Sequence, residues 1–157
     1  MLTTNHAIAG ALVAVAVKNP AAAIPLAFVS HYAMDMLPHF GMAVIGGNVR
    51  ARNNHPLYKA VTSIDIVLCI GAVIVVPFLL NAQVSWLTVL ACMLAAVSPD
   101  FAWVYKFFKE LKSGIMTRKG AFNQFHKSIQ WAERPYALVV DILWFVGSLL
   151  IVGRSLS

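Results

Sequence analysis

Long apolar runs separated by short polar breaks dominate the chain, and five runs can be delimited, at about residues 5–18, 21–37, 60–80, 84–105 and 136–152. The third is close to the roughly 20 residues that cross a bilayer core, and the first is short for a span. The fourth ends at Val97, or reaches Tyr105 if it continues through Ser98-Pro99-Asp100. Helices are the expected element, because a helix satisfies its own backbone hydrogen bonds in lipid. The pattern predicts an all-α, polytopic helical membrane protein, a single bundle over residues 1–157. Between the last two runs, FAWVYKFFKELK (101–112) and AFNQFHKSIQWAER (121–134) are amphipathic and suit helices lying in the headgroup layer.

Composition supports the membrane class. The chain is 60% hydrophobic and 11% charged, with a mean hydropathy of +0.76, whereas soluble domains are about a quarter charged. The first run contains His6 and ends at Lys18-Asn19-Pro20 with no small-residue cleavage pattern, so no cleaved signal is expected. Cys69 and Cys92 stand singly in apolar runs, as packing residues do.

The formal charge of +6 is concentrated in two connections. Residues 40–59 carry Arg50, Arg52 and Lys59 and no acid; residues 105–134 carry seven Lys and Arg against Glu110 and Glu133. The Asn81-Ala82-Gln83 hairpin is uncharged. The positive-inside rule then places the N-terminus and both basic connections in the cytoplasm, beside anionic headgroups. Membrane lipids are the expected partners. The basic connections hold no nucleic-acid-binding motif, so no nucleic acid is expected.

Two echoes hint at an internal repeat. DIVLCIGAVIVV from Asp65 resembles DILWFVGSLLIV from Asp141, and AFVSH (27–31) resembles AAVSPD (95–100). Helix pairs of like orientation would form a parallel repeat.

Candidate chemistry lies in the second run. In SHYAMDMLPH, an uninterrupted helix would put His31, Asp35 and His39 within an arc of about 80°, although Pro38 is able to place His39 on a kink or past the helix end. Imidazole and carboxylate on neighbouring turns suit Zn²⁺, and a carboxylate-rich site suits Mn²⁺ or Mg²⁺. The expected topology brings His6, Asp65, Asp100, His126 and Asp141 to the same cytoplasmic end. His6, Asp100 and His126 are therefore further candidate ligands, and Asp65 is a candidate general base. A helix over 121–134 would set His126, Gln130 and Glu133 on one arc of about 60°, making Glu133 a second candidate base.

Bland alternatives accompany each of these. The His/Asp series could be a hydrogen-bonded knot between helices. Ser98-Pro99-Asp100 also reads as a helix start, with a capping Ser and an acid in the first turn. Asp65 and Asp141 suit the N-terminal dipole of their own helices, and His55 suits a surface loop.

TTNHAIAGALVAVAV, SHYAMDMLPH and SPDFAWVY, and more loosely FHKSIQWAERPY, resemble the YdjM-like family of small bacterial inner-membrane proteins, identified as membrane-bound metal-dependent hydrolases. The resemblance implies metal ligation by His6 and Asp100, with His31, Asp35, His39 and His126 as further ligands. The chain departs from it where the family has His-Arg followed by Thr-His-Ser, and its Pro-Asp turn lacks a second Asp. Two functions follow as expectations. One is a hydrolase whose metal site opens at the cytoplasmic face toward a lipid or lipid-linked phosphate. The alternative is a non-enzymatic membrane protein, an ion carrier or a partner subunit held together by its polar layer.

Overall fold

The computed structural model describes residues 1–41, 55–113 and 120–156, with backbone alone over 102–113 and at 123. Within these residues the chain is all-α, its helices joined by short turns and by one two-residue extended pairing. The helices are α1 (Thr3–Val17), α2 (Pro20–Asp35), α3 (Pro56–Leu79), α4 (Trp86–Ser113), α5 (Ala121–Ile129) and α6 (Leu138–Arg154). Arg50, Arg52, Arg118 and Lys119 and the side chains of Lys106, Lys109 and Lys112, on which the expected orientation largely rests, lie outside the described residues.

Beyond its polar first turn, helix α1 is apolar around its whole circumference and is correspondingly the buried axis, in contact with α2, α3, α4 and α6. Its small residues Ala7, Gly10, Ala11 and Ala14 recur at helical spacing and admit neighbouring backbones closely. At Gly10 the approach is closest: a Cβ there would lie 2.5 Å from the Cys92 carbonyl oxygen and 2.9 Å from Met93 Cα of α4. The turn into α2 is locally specified. Lys18 takes a left-handed conformation and closes α1, and the Asn19 side chain accepts from Ala21 N at 3.0 Å as N-cap, with Pro20 opening α2.

α3, continued by the 3₁₀ turn Leu80–Ala82, and α6, preceded by the 3₁₀ turn Pro135–Ala137, are long and apolar enough to cross a membrane. Their apolar side chains point outward: Ile64, Val67, Ile70 and Phe78 on α3, and Leu143, Val146 and Leu150 on α6, are all exposed. α1 and residues 86–101 are shorter apolar stretches.

The fourth run continues through Ser98-Pro99-Asp100, as the reading to Tyr105 has it, and the alternative of a helix start at Ser98 falls. α4 runs unbroken through Pro99 to Ser113, so residues 101–112 continue it and are not a separate helix. Pro99 removes the N–H that would bond to Ala95 O, and the Ser98 hydroxyl donates to that carbonyl instead, at 2.8 Å. Two further expectations are corrected. α2 stops at Asp35, so His39 leaves the arc of His31 and Asp35 and enters a two-residue strand, β1 (His39–Phe40). α5 stops at Ile129, so Glu133 leaves the arc of His126 and lies in β2 (Glu133–Arg134), which pairs in parallel with β1, His39 opposite Glu133.

The two sequence echoes have structural counterparts. Ser30 donates to Ala27 O at 2.7 Å, as Ser98 does to Ala95 O. Asp65 and Asp141 both turn their carboxylates to the N-terminus of α1. Asp65 accepts from Thr3 N (2.9 Å), Thr4 N (2.9 Å) and Thr4 Oγ1 (2.7 Å); Asp141 accepts from Leu2 N (2.9 Å), Asn5 Nδ2 (3.2 Å) and Phe40 N. The helix dipole these acids serve is that of α1 rather than their own.

Candidate metal centre

The N-terminal turn of α1, fixed by the two aspartates, places His6 beside the end of α2, where His31 and Asp35 lie one turn apart. Asp100 enters from α4 just past the proline, and α5 lays His126 across the opening. His6, His31, Asp35 and His126 are all buried, whereas the Asp100 side chain is 24% exposed. Two groups of potential ligand atoms result, His6/His31/Asp100 and His31/Asp35/His126.

The second group is the tighter. His31 Nε2 is 3.2 Å from His126 Nε2 and 3.4 Å from Asp35 Oδ2, and His126 Nε2 is 2.8 Å from Asp35 Oδ2. Ligand bonds of about 2.0–2.1 Å at a tetrahedral ion set neighbouring donor atoms about 3.3–3.4 Å apart. The three edges lie close to that spacing, so an ion would enter with small adjustments. His31 Nδ1 lies 2.8 Å from the Ala96 carbonyl, and a nitrogen facing a carbonyl oxygen must carry the hydrogen. That fixes the tautomer and leaves Nε2 with its lone pair free, the outer-shell arrangement common to metal-binding histidines.

The cluster is also a dense hydrogen-bond knot centred on Asp35. Its Oδ1 meets His6 Nε2 at 3.1 Å and the Met1 amino group; its Oδ2 meets His126 Nε2 and accepts from Gln130 Nε2 at 3.1 Å. The His6 and His31 rings stack with centroids 4.0 Å apart. Among the described residues, His6 Nδ1 is buried without a hydrogen-bond partner, a state that ordinarily costs about 1–3 kcal/mol. Three imidazoles and two carboxylates form a donor set that fits Zn²⁺ or another first-row ion.

Of the candidate ligands, the structure thus gathers His6, His31, Asp35, Asp100 and His126, and it leaves His39 out. His39 Nδ1–H donates to Leu37 O at 2.7 Å, and burial, helped by the Met1 amino group, pushes its imidazole below the ordinary range. Neither candidate base joins either group of ligand atoms. Asp65 is occupied in capping α1, and Glu133 packs its side chain over Gly41, where a Cβ would have no room. Two contributors escaped the sequence reading: Gln130, whose amide reaches Asp35, and the Ala96 carbonyl. Gln130 was on the arc of His126 and visible there. For Ala96, Pro99 three residues on marks a disturbed helix ladder, but nothing in the sequence names the residue that would use it.

Compared with protein-family models, curated proteins and solved structures, the chain matches none. The YdjM-like resemblance therefore rests on the short motifs alone.

Proposed function

We propose that this chain is a multi-pass protein of the bacterial inner membrane, with its N-terminus and basic connections on the cytoplasmic side, and that it is a metal-dependent hydrolase. The supporting observation is the convergence of His6, His31, Asp35, Asp100 and His126 from four helices on one end of the bundle. Ionisable groups buried among membrane helices are costly, and function is what retains them. Zn²⁺ is the preferred ion, with Mn²⁺ or Mg²⁺ as alternatives.

A bound ion would supply a water acidic enough to give hydroxide near neutral pH. The chain's own residues do the rest. His31, Asp35 and His126 would hold the ion, Ala96 O orients His31, and Gln130 steadies Asp35. Asp100, the partly open carboxylate of the cluster, stands nearest the surroundings and takes the proton that Asp65 and Glu133 are not placed to take. The substrate is a lipid or lipid-linked phosphate. Exposed Trp131 and Tyr136, with Lys127 and Arg134 nearby, immediately precede α6 and suit the aromatic and basic composition of a headgroup layer with anionic lipids.

The test is turnover. Purified protein in vesicles containing phosphomonoester or phosphodiester lipids should release phosphate or headgroup only with the ion present, and Asp35→Asn should lower the rate at least 100-fold. No metal-dependent cleavage of either class would remove the hydrolase reading. One observation favours a second reading: Asp35 is bonded directly to His6, His126 and Gln130, as in a polar knot between helices. A purely structural polar layer would fail to assemble in Asp35→Asn, and the wild type would never bind metal.

A further inference from the structure

Two groups of ligand atoms at one bundle end suggest a binuclear centre. Their chemistry argues otherwise. Both groups contain His31, and no other residue is shared. An imidazole has two nitrogens, and Nδ1 of His31 is committed as a donor to Ala96 O at 2.8 Å. Only Nε2 remains, lying 3.4 Å from Asp35 Oδ2, 3.2 Å from His126 Nε2 and 3.8 Å from Asp100 Oδ1. That nitrogen has one in-plane lone pair and can bind one ion at a time.

We infer that the chain binds a single divalent ion that has two alternative seats, with His31 Nε2 as the ligand common to both. The inference rests on the metal reading above. The inner seat, His31/Asp35/His126, is buried at every ligand. The outer seat, His6/His31/Asp100, includes the cluster's one partly exposed carboxylate, and its His6 carries the buried Nδ1 that lacks a partner among the described residues. The outer seat, with its one partly exposed ligand, would take up the ion, and the inner seat would hold it for turnover, which leaves Asp100 free as the base. Asp35 lies one turn from His31 on α2 and bonds to His6 and His126, so it lies between the seats. An ion leaving one seat for the other keeps the His31 bond and exchanges two ligands. Such a divided set contrasts with two-metal hydrolytic centres, whose ions sit about 3.5–4 Å apart and are both present during the reaction.

The experiment is a Zn²⁺ titration of the purified, chelator-treated full chain in detergent, read as ions bound per chain at saturation, with Asp35→Asn and Asp100→Asn alongside. The wild type should saturate at about one ion. Each variant disables one seat only, so each should still bind about one ion, Asp35→Asn with affinity weakened at least tenfold. Saturation of the wild type at two ions, falling to one in either variant, would establish a binuclear centre and overturn the inference. One ion in the wild type and none in either variant would mean a single seat using both acids, which also overturns it. A wild type that binds none would instead remove the metal reading itself. The wild-type stoichiometry needs no substitution, so the inference is testable even where a variant fails to fold.

Discussion

Asp35 is the residue on which the most interactions depend, and its neighbours explain why its loss and the loss of Asp65 should look different. Asp65 receives two backbone N–H groups and the Thr4 hydroxyl, all within 2.9 Å. Asp65→Ala would strand these buried donors at the start of α1 and should cost about 3 kcal/mol, read as a lower unfolding midpoint in detergent, with any bound metal retained until unfolding. Asp35→Asn should do the reverse: a smaller stability change and a large loss of metal affinity. His39 makes a separate prediction. Its imidazole is held neutral by burial, so its folded-state pKa lies below the ordinary value of about 6.5. Between those two values the unfolded chain binds more protons, so stability is full above pH 6.5 and falls as the pH drops through that window. In metal-free protein, His39→Gln should flatten this part of the pH–stability curve. An unchanged slope would show that His39 takes up its proton without cost.

At the scale of the elements, proline and glycine decide the packing. Pro99 sits inside α4, and the neighbouring Ala96 carbonyl orients His31; Gly10 lets α1 and α4 touch. Gly10→Ala should therefore destabilise by about 1–3 kcal/mol, since its Cβ would meet Cys92 and Met93 backbone. Gly71→Ala in α3 is the matched control: nothing lies within 4 Å of its Cβ, and a neutral or slightly stabilising change, up to about 1 kcal/mol, is expected. Equal effects at both positions would remove the close approach as the explanation. The apolar runs read at 5–18, 21–37, 60–80 and 136–152 end within four residues of α1, α2, α3 and α6, because apolar runs bounded by polar breaks carry that information directly. By contrast, α4 runs eight residues past Tyr105 and α5 ends five residues short of 134. It was weaker where a helix passes through a proline or hands over to an extended pair. The fate of Ser98-Pro99-Asp100 depended on a hydroxyl replacing a missing N–H, and that of Glu133 on a pairing partner 94 residues away in β1. Such tertiary choices leave no local periodicity.

Among the described residues, polar and apolar side chains are sorted by place: an apolar core runs through the bundle, a polar cluster closes one end, and two helices long and apolar enough to cross a membrane turn apolar faces outward. Histidines and aspartates fill one end of its interior, and large apolar side chains of α3 and α6 face outward, Val67 being 69% and Leu143 67% exposed. Single cysteines placed at Lys59 and Tyr136 should be labelled from the cytoplasmic side and one at Gln83 from the other, if the bundle spans with its site inside. Labelling of all three from one side would contradict that topology. The site itself was partly legible: His6, His31, Asp35, Asp100 and His126 were named from their types and their expected bundle end, and the fold unites all five. His39, Asp65 and Glu133 had the same credentials in sequence. What separated them was side-chain direction, set by capping and strand pairing that only the folded chain specifies.

The most direct test of the central claim, that this polar cluster is a metal centre, is X-ray absorption at the zinc edge on protein loaded with one equivalent and then dialysed. The account predicts retained zinc with a shell of nitrogen and oxygen at about 2.0–2.1 Å and the outer scattering of imidazole rings. Loss of zinc on dialysis, or a sulfur shell at about 2.3 Å pointing to Cys69 or Cys92, would contradict it.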